Sequence, residues 1–155
     1  LSDEPSAAAL ALEISDGCVV DIGGGTTGIS LIEDGEVIST ADEATGGHHV
    51  DLVLAGHYGL PVEEAEQLKL DPNRRDEVAA LVRPVFQKMG SIARAHLRGR
   101  RPETLYLVGG TSCFPGIGDV LAHETGLPVA LPVNPLLVTP LGIALSCLRT
   151  TGGRP

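Results

Sequence analysis

Asp21 stands immediately before three glycines and two threonines in the run Asp21-Ile22-Gly23-Gly24-Gly25-Thr26-Thr27. Glycines leave backbone N–H groups uncovered by side chains, and the two hydroxyls beside them add donors, so the bend suits phosphate oxygens. A carboxylate there repels a phosphate unless a divalent cation lies between them, most simply a hydrated magnesium ion. The chemistry that these seven residues suggest is a metal-nucleotide site. Taken alone, the glycines also fit a structural hairpin with a flexible tip.

Gly23, Gly25 and Gly28 satisfy the G-x-G-x-x-G pattern of dinucleotide-binding proteins. That pattern needs a helix opening at the glycines, with the pyrophosphate on its N-terminus. Here Ile29 to Ile32 reads as a strand, Asp34-Gly35 is a preferred hairpin dipeptide, and Glu36 to Thr40 reads as another strand. The dinucleotide reading is therefore rejected. No Gly-Lys-Ser/Thr follows either, so the P-loop pattern is absent. A second glycine bend, Gly109-Gly110-Thr111-Ser112, follows an apolar run ending at Val108. A strand emptying through paired glycines onto a helix lets a flat ring or a ribose lie against the main chain.

Other polar residues say less. Glu66 and Lys69 are three apart on a short helix and read by themselves as a surface ion pair. His48 and His49 are adjacent, point about 100° apart on a helix, and cannot grip one metal as an i, i+4 pair does. Solvated or capping histidines are the reading there.

The elements that must carry these groups follow from periodicity. Glu4-Pro5 with Ala7 to Ala9 opens a helix in which small side chains admit a close neighbour. The Cys18 to Thr40 region gives three antiparallel strands. Val50, Val53 and Leu54 mark a helix ending at the glycines from 56 to 59, and Pro61 to Leu70 marks another. From Arg74 to Leu97 a long helix carries Val78, Leu81, Val82, Val85, Met89, Ile92 and Ala93 as one apolar stripe, with Pro84 predicted to kink it. Arg94, Arg98, Arg100 and Arg101 gather at its C-terminal end, where the helix dipole favours cations. Glu103 to Val108 is a strand, Pro115 to Thr125 a helix closed by Gly126, and Leu127 to Leu131 a strand. Thr139-Pro140 is expected to cap a final helix over Leu141 to Leu148, in which Gly142 and Ser146 form an edge for a close helix crossing. The sum is an α/β domain with a mixed sheet of about five strands.

Composition sets limits on function. A chain of 155 residues suits one domain, long enough to bury roughly 70% of its unfolded surface. A formal charge of −9 argues against nucleic acid or an anionic membrane as partner. An anionic nucleotide must then be held by backbone amides and metal. Aromatics make up only 3%, so the expected core is aliphatic. Cys18, Cys113 and Cys147 are odd in number and far apart, which suits buried thiols in a reduced cytoplasmic protein. No apolar run reaches the ~18 residues that a membrane span needs. The N-terminus shows neither a signal peptide nor an initiator methionine, and the chain reads as a processed or excised piece.

The order of these motifs resembles that of the actin, Hsp70 and sugar-kinase ATPase superfamily, which has a ribonuclease H-like fold. Glu4-Pro5 with Ala7 to Ala9, the Asp21 to Thr27 bend, Ala65 to Lys69, Gly109 to Ser112, and Thr139 to Ala144 match in turn its first connecting helix, second phosphate loop, ribose helix, adenosine loop and second connecting helix. Within it, Gly23 to Ile32, Val53 to Gly56 and Pro135 to Leu145 resemble the EutJ-type proteins of ethanolamine utilisation. The resemblance implies the second lobe of an actin-like ATPase over 1–155, with its core at 13–58 and 103–150 and a helical insertion over about 59–102. It implies ATP or ADP and Mg2+ as cofactors. Asp21 would hold the metal through water, Gly23, Gly24, Gly25, Thr26 and Thr27 the phosphates, Glu66 and Lys69 the ribose, and Gly109, Gly110, Thr111 and Ser112 the adenosine.

As partners the resemblance implies a first lobe of the same protein, and ethanolamine-utilisation enzymes or the shell proteins of a bacterial microcompartment. A homodimer of the lone lobe is a further expectation. An intact parent would hydrolyse ATP slowly as a chaperone or assembly factor, and the lone lobe would bind nucleotide weakly without turning it over. Two departures point elsewhere: Gly28 and His48 stand where many relatives carry carboxylates. They keep open a non-catalytic scaffold with a degenerate site, and beside it a small-metabolite kinase of the same superfamily.

Overall fold

The computed structural model of the chain describes residues 4–151. At its centre lies β1 (Gly17–Ile22), whose six residues are all buried. It pairs antiparallel with β2 (Thr27–Glu33), and β2 pairs antiparallel with β3 (Glu36–Glu43). The β2–β3 turn uses Asp34 and Gly35 at φ 52° and 78°, the left-handed pair that a tight hairpin requires. On its other side β1 runs parallel to β4 (Leu105–Val108), and β4 parallel to the short β5 (Val129–Ala130). The sheet order is β3-β2-β1-β4-β5, the expected mixed sheet of five strands.

Strand alternation divides the core in two. Val20, Ile22, Ile29, Leu31, Leu105 and Leu107 face a layer made of α2 (Gly47–Tyr58), α3 (Val62–Leu70), α4 (Arg75–Leu97) and α5 (Ile117–Thr125). Val19, Ile32 and Val108 face α1 (Glu4–Ala11) and α6 (Pro135–Thr151). Buried residues of α4 from Val78 to Leu97 belong to the same cluster as the strands, so this helical stretch shares the main core.

The α1–α6 contact is the close crossing that the small residues imply. Ala7 and Ala8 are fully buried, and a Cβ placed on Gly142 would overlap the Ala7 carbonyl. Only a glycine lets α6 approach the α1 backbone at that point.

Three expectations need correction. Thr139 and Pro140 do not cap α6, which already begins at Pro135 and runs through Pro140. The paired glycines lead into a 3-10 turn, Gly110–Cys113, and α5 starts only at Ile117. The core is not purely aliphatic: Phe86, 1% exposed, packs against Phe114 with ring centroids 5.2 Å apart. Of the cysteines, Cys18 is buried, whereas Cys113 and Cys147 are exposed. Burial pushes the Cys18 thiol up to about 12, so it is inert near neutral pH. Two of the clustered arginines have partners: Arg94 donates to the Glu124 carbonyl at 3.2 Å, and Arg100 lies 2.5 Å from Glu33 Oε1.

Candidate functional site

The two glycine bends meet at the C-terminal ends of β1 and β4. Thr111 Oγ1 donates to the Gly23 carbonyl at 2.8 Å. Gly109 sits at φ 88° against the other bend, where a Cβ would overlap the Asp21 carboxylate and the Ile22 carbonyl. Helix α2 closes the corner. Its Gly47 N–H donates to the Gly23 carbonyl at 2.9 Å and its His48 N–H to the Gly24 carbonyl at 2.7 Å. A Cβ on Gly46 would stand 2.7 Å from the Gly24 carbonyl, which explains a glycine before α2. The first bend is thus tied down through its carbonyls, the half of each peptide that repels phosphate, while its tip from Gly24 to Thr26 is exposed.

Beside the joined bends opens a cleft of about 720 Å³, a size that suits a nucleotide-sized ligand. Its lining includes Gly24, Gly110 and Thr111 from the bends, the charged Glu66, Lys69 and Arg75, and the apolar Phe114 and Pro115. Of the residues expected to hold ligand, Gly24, Glu66, Lys69, Gly110 and Thr111 line this space. Gly23, Gly25 and Thr26 belong to the adjoining bend. The hydroxyls of Thr27 and Ser112 serve the protein instead: Thr27 Oγ1 donates to the Thr45 carbonyl at 2.6 Å, and Ser112 Oγ to the Gly109 carbonyl at 2.5 Å.

Lys69 does not pair with Glu66, which is exposed. It pairs with Asp51 of α2, at 2.7 Å between Nζ and Oδ1. With its side chain 7% exposed, Asp51 needs that cation, because an unpaired buried carboxylate is costly. His48 is exposed, with Nδ1 4.0 Å from Asp51 Oδ2, and His49 Nδ1 accepts from the Gly46 N–H at 3.2 Å.

Asp21 lies behind Gly109, on the α1–α6 face of the sheet and only 5% exposed. Its Oδ2 accepts from Thr139 Oγ1 at 2.5 Å. Burial holds its carboxyl above the ordinary 3.8; the Thr139 hydrogen bond opposes that rise, and the charge of Asp42 adds to it. Strand register explains Asp42, because Asp21 pairs with Gly28 and Gly28 with Asp42 across three strands. Position 28 cannot carry a side chain freely, since a Cβ there would stand 3.0 Å from Pro5 Cδ of α1.

Among the described residues no group of three or more His, Cys, Asp or Glu is placed to hold a metal by itself. That excludes a protein-caged ion from those residues and leaves the magnesium type of site, in which one or two carboxylates combine with water and phosphate oxygens. Asp21 fits this donor set. No cation among the described residues pairs with it, and a divalent ion would reverse the cost of its burial.

Sequence reading missed Asp51, Asp42, Thr139 and Phe114. Asp51 had a readable signal, as the one carboxylate in the stretch from Gly46 to Leu60. The others depend on register and on the early start of α6.

The family model for the cell division protein FtsA matches residues 18–142. The ethanolamine utilization protein EutJ of Escherichia coli (strain K12) is 44% identical over 145 residues, which cover 93% of this chain and 51% of that protein. The chain thus spans about half the length of the curated EutJ relatives it matches. The crystal structure of EutJ from Carboxydothermus hydrogenoformans superposes with a TM-score of 0.87 at 51% identity, over 94% of this chain and 55% of that one. MreB5 of Spiroplasma citri bound to ADP shares the fold, with a TM-score of 0.81 at 18% identity over 99% of this chain and 62% of that one. No helix among the described residues is long and apolar enough to cross a membrane. Sequence match and superposition agree with the mixed sheet and the joined bends: the chain belongs to the FtsA family, with the actin-like ATPase fold, and is similar to EutJ along nearly its whole length.

Proposed function

We propose that this chain is the Mg-ATP-binding lobe of an actin- and Hsp70-like ATPase that serves ethanolamine utilisation as a chaperone or assembly factor, in the cytoplasm and in association with a bacterial microcompartment. The observation that carries the reading is the junction of the two glycine bends by the Thr111–Gly23 hydrogen bond, beside a cleft that Glu66 and Lys69 help to line. Nucleotide in the MreB5 structure and the role named for EutJ support it. The bend tip from Gly24 to Thr26 would take phosphate oxygens, Glu66 and Lys69 the ribose, and the apolar surface by Phe114 the base. When bound, Mg2+ would supply charge neutralisation between Asp21 and the phosphates. Asp21 holds the charge for that ion in a dry position, where electrostatic attraction is strong.

A non-catalytic scaffold is favoured by one observation. Pro5 packs so close to position 28 that an added Cβ would stand 3.0 Å from it, which favours glycine there over a carboxylate. Titration of the full-length protein with ATP and MgCl2, followed by phosphate release, separates the readings. Binding that weakens on Asp21→Ala, with slow release, supports the ATPase. Unchanged binding and no release in that variant support the scaffold.

A further inference from the structure

Among the described residues, Thr139 is one of few polar side chains that are both buried and directed at another buried polar group. It is 8% exposed, beside Val138 of the α1–α6 core, and its hydroxyl donates to Asp21 Oδ2 at 2.5 Å. Asp21 accepts no other side-chain hydrogen bond from the described residues and pairs with no cation among them. A carboxylate is free to rotate about its last torsion, and a single fixed donor on one oxygen removes that freedom. With Oδ2 engaged, Oδ1 is the oxygen left for a hydrated cation.

The donor itself is anchored. Thr139 lies three residues before Gly142, almost one turn along α6, and Gly142 is the point where α6 rests on the Ala7 carbonyl of α1. The hydroxyl therefore reports the seating of α6 on α1 to the carboxylate behind the glycine bend.

We infer that Thr139 is a positioning residue: through its hydrogen bond to Asp21 it orients the carboxylate toward the magnesium ion of a bound nucleotide and ties that orientation to α6. This rests on the nucleotide-site reading of Asp21. Outer-shell donors of this kind change metal affinity about 10- to 100-fold when removed. The bond is a neutral hydroxyl on a carboxylate, so its loss alters the metal side of the site and leaves the contacts of ribose and base in place.

The test uses the full-length protein and ADP as probe. ADP affinity is measured in EDTA and across a MgCl2 series for wild type, Thr139→Val, Thr139→Ser, Thr139→Ala and Asp21→Ala, together with the thermal midpoint of each without nucleotide. Thr139→Val is expected to raise the MgCl2 midpoint about 10- to 100-fold while ADP affinity in EDTA stays near wild type. Thr139→Ser restores the midpoint, and Thr139→Ala repeats the defect should the valine variant not fold. An unchanged MgCl2 midpoint in Thr139→Val and Thr139→Ala, with Asp21→Ala losing its magnesium response, overturns the positioning role and leaves the nucleotide site standing. A wild-type magnesium response in Asp21→Ala, or no ADP binding by wild type, overturns both.

Discussion

Replacing Gly142 by alanine adds one methyl group at the tightest point of the fold, where it meets the main chain of α1. The new Cβ would overlap the carbonyl of Ala7, a backbone group that no rotamer change can move. Overpacking of this kind costs about 1–3 kcal/mol, and a backbone obstacle places it near the upper end. Removing a helical glycine returns roughly 0.5–1 kcal/mol, so the net loss is about 2 kcal/mol. For a domain of this size that lowers the thermal midpoint by about 4–8 °C. Gly56→Ala is the matched control, because Gly56 lies in α2 with nothing within 4 Å of its added Cβ. It should gain the propensity term alone, about 0.5–1 kcal/mol. Thermal denaturation of both variants by circular dichroism decides the matter. If Gly142→Ala proves as stable as Gly56→Ala, the two helices do not cross as closely as described, and the link from α1 through α6 to Asp21 loses its support.

Further outcomes follow from burial and charge. Because the Asp21 carboxyl is held above 3.8 by burial, the folded state keeps its proton more tightly than the unfolded chain does. Its stabilising contribution is complete below pH 3.8 and is lost as pH rises through the folded value. Ligand-free Asp21→Asn should therefore melt above wild type at pH 7, with the gain shrinking as pH falls toward 4, as a pH series of melts would show. Asp51→Asn strips Lys69 of its counter-charge and should cost about 3 kcal/mol by denaturant titration. Exposed Glu66→Gln should stay within about 0.5 kcal/mol while weakening nucleotide binding. Phe86→Ala should cost about 3–5 kcal/mol and also reduce nucleotide affinity, since Phe86 packs against Phe114, which lines the cleft.

The β-hairpin, the long amphipathic α4 and the α1–α6 crossing were legible because each rests on local pattern: a left-handed dipeptide, an apolar stripe, small residues facing one another. Asp42 was not. The Asp34-Gly35 turn by itself pairs Glu33 with Glu36 and would set Gly28 opposite Ala41, but a bulge between Leu31 and Ile32 shifts the register and brings Asp42 there. One extra residue in a ladder changes which side chain faces the site, and no periodicity announces it. Thr139-Pro140 misled for another reason. The pair looks like a helix start, yet Pro135 serves that role, and Thr139 lies within α6 beside Asp21. Lys69 likewise had an obvious partner three residues away and found a better one across α2, because the buried Asp51 needs a cation more than the solvated Glu66 does. Local spacing shows which groups can meet, and burial decides which of them do.

One nucleotide cleft formed by both glycine bends requires that both respond to the same ligand. The most direct measurement is amide chemical-shift mapping of this chain as ADP and MgCl2 are added. The prediction is that shifts concentrate at Gly24 to Thr26, at Gly109 to Thr111 and around Glu66 and Lys69. Shifts confined to the apolar groove of Leu52, Val53 and Val85, or absent altogether, would contradict it.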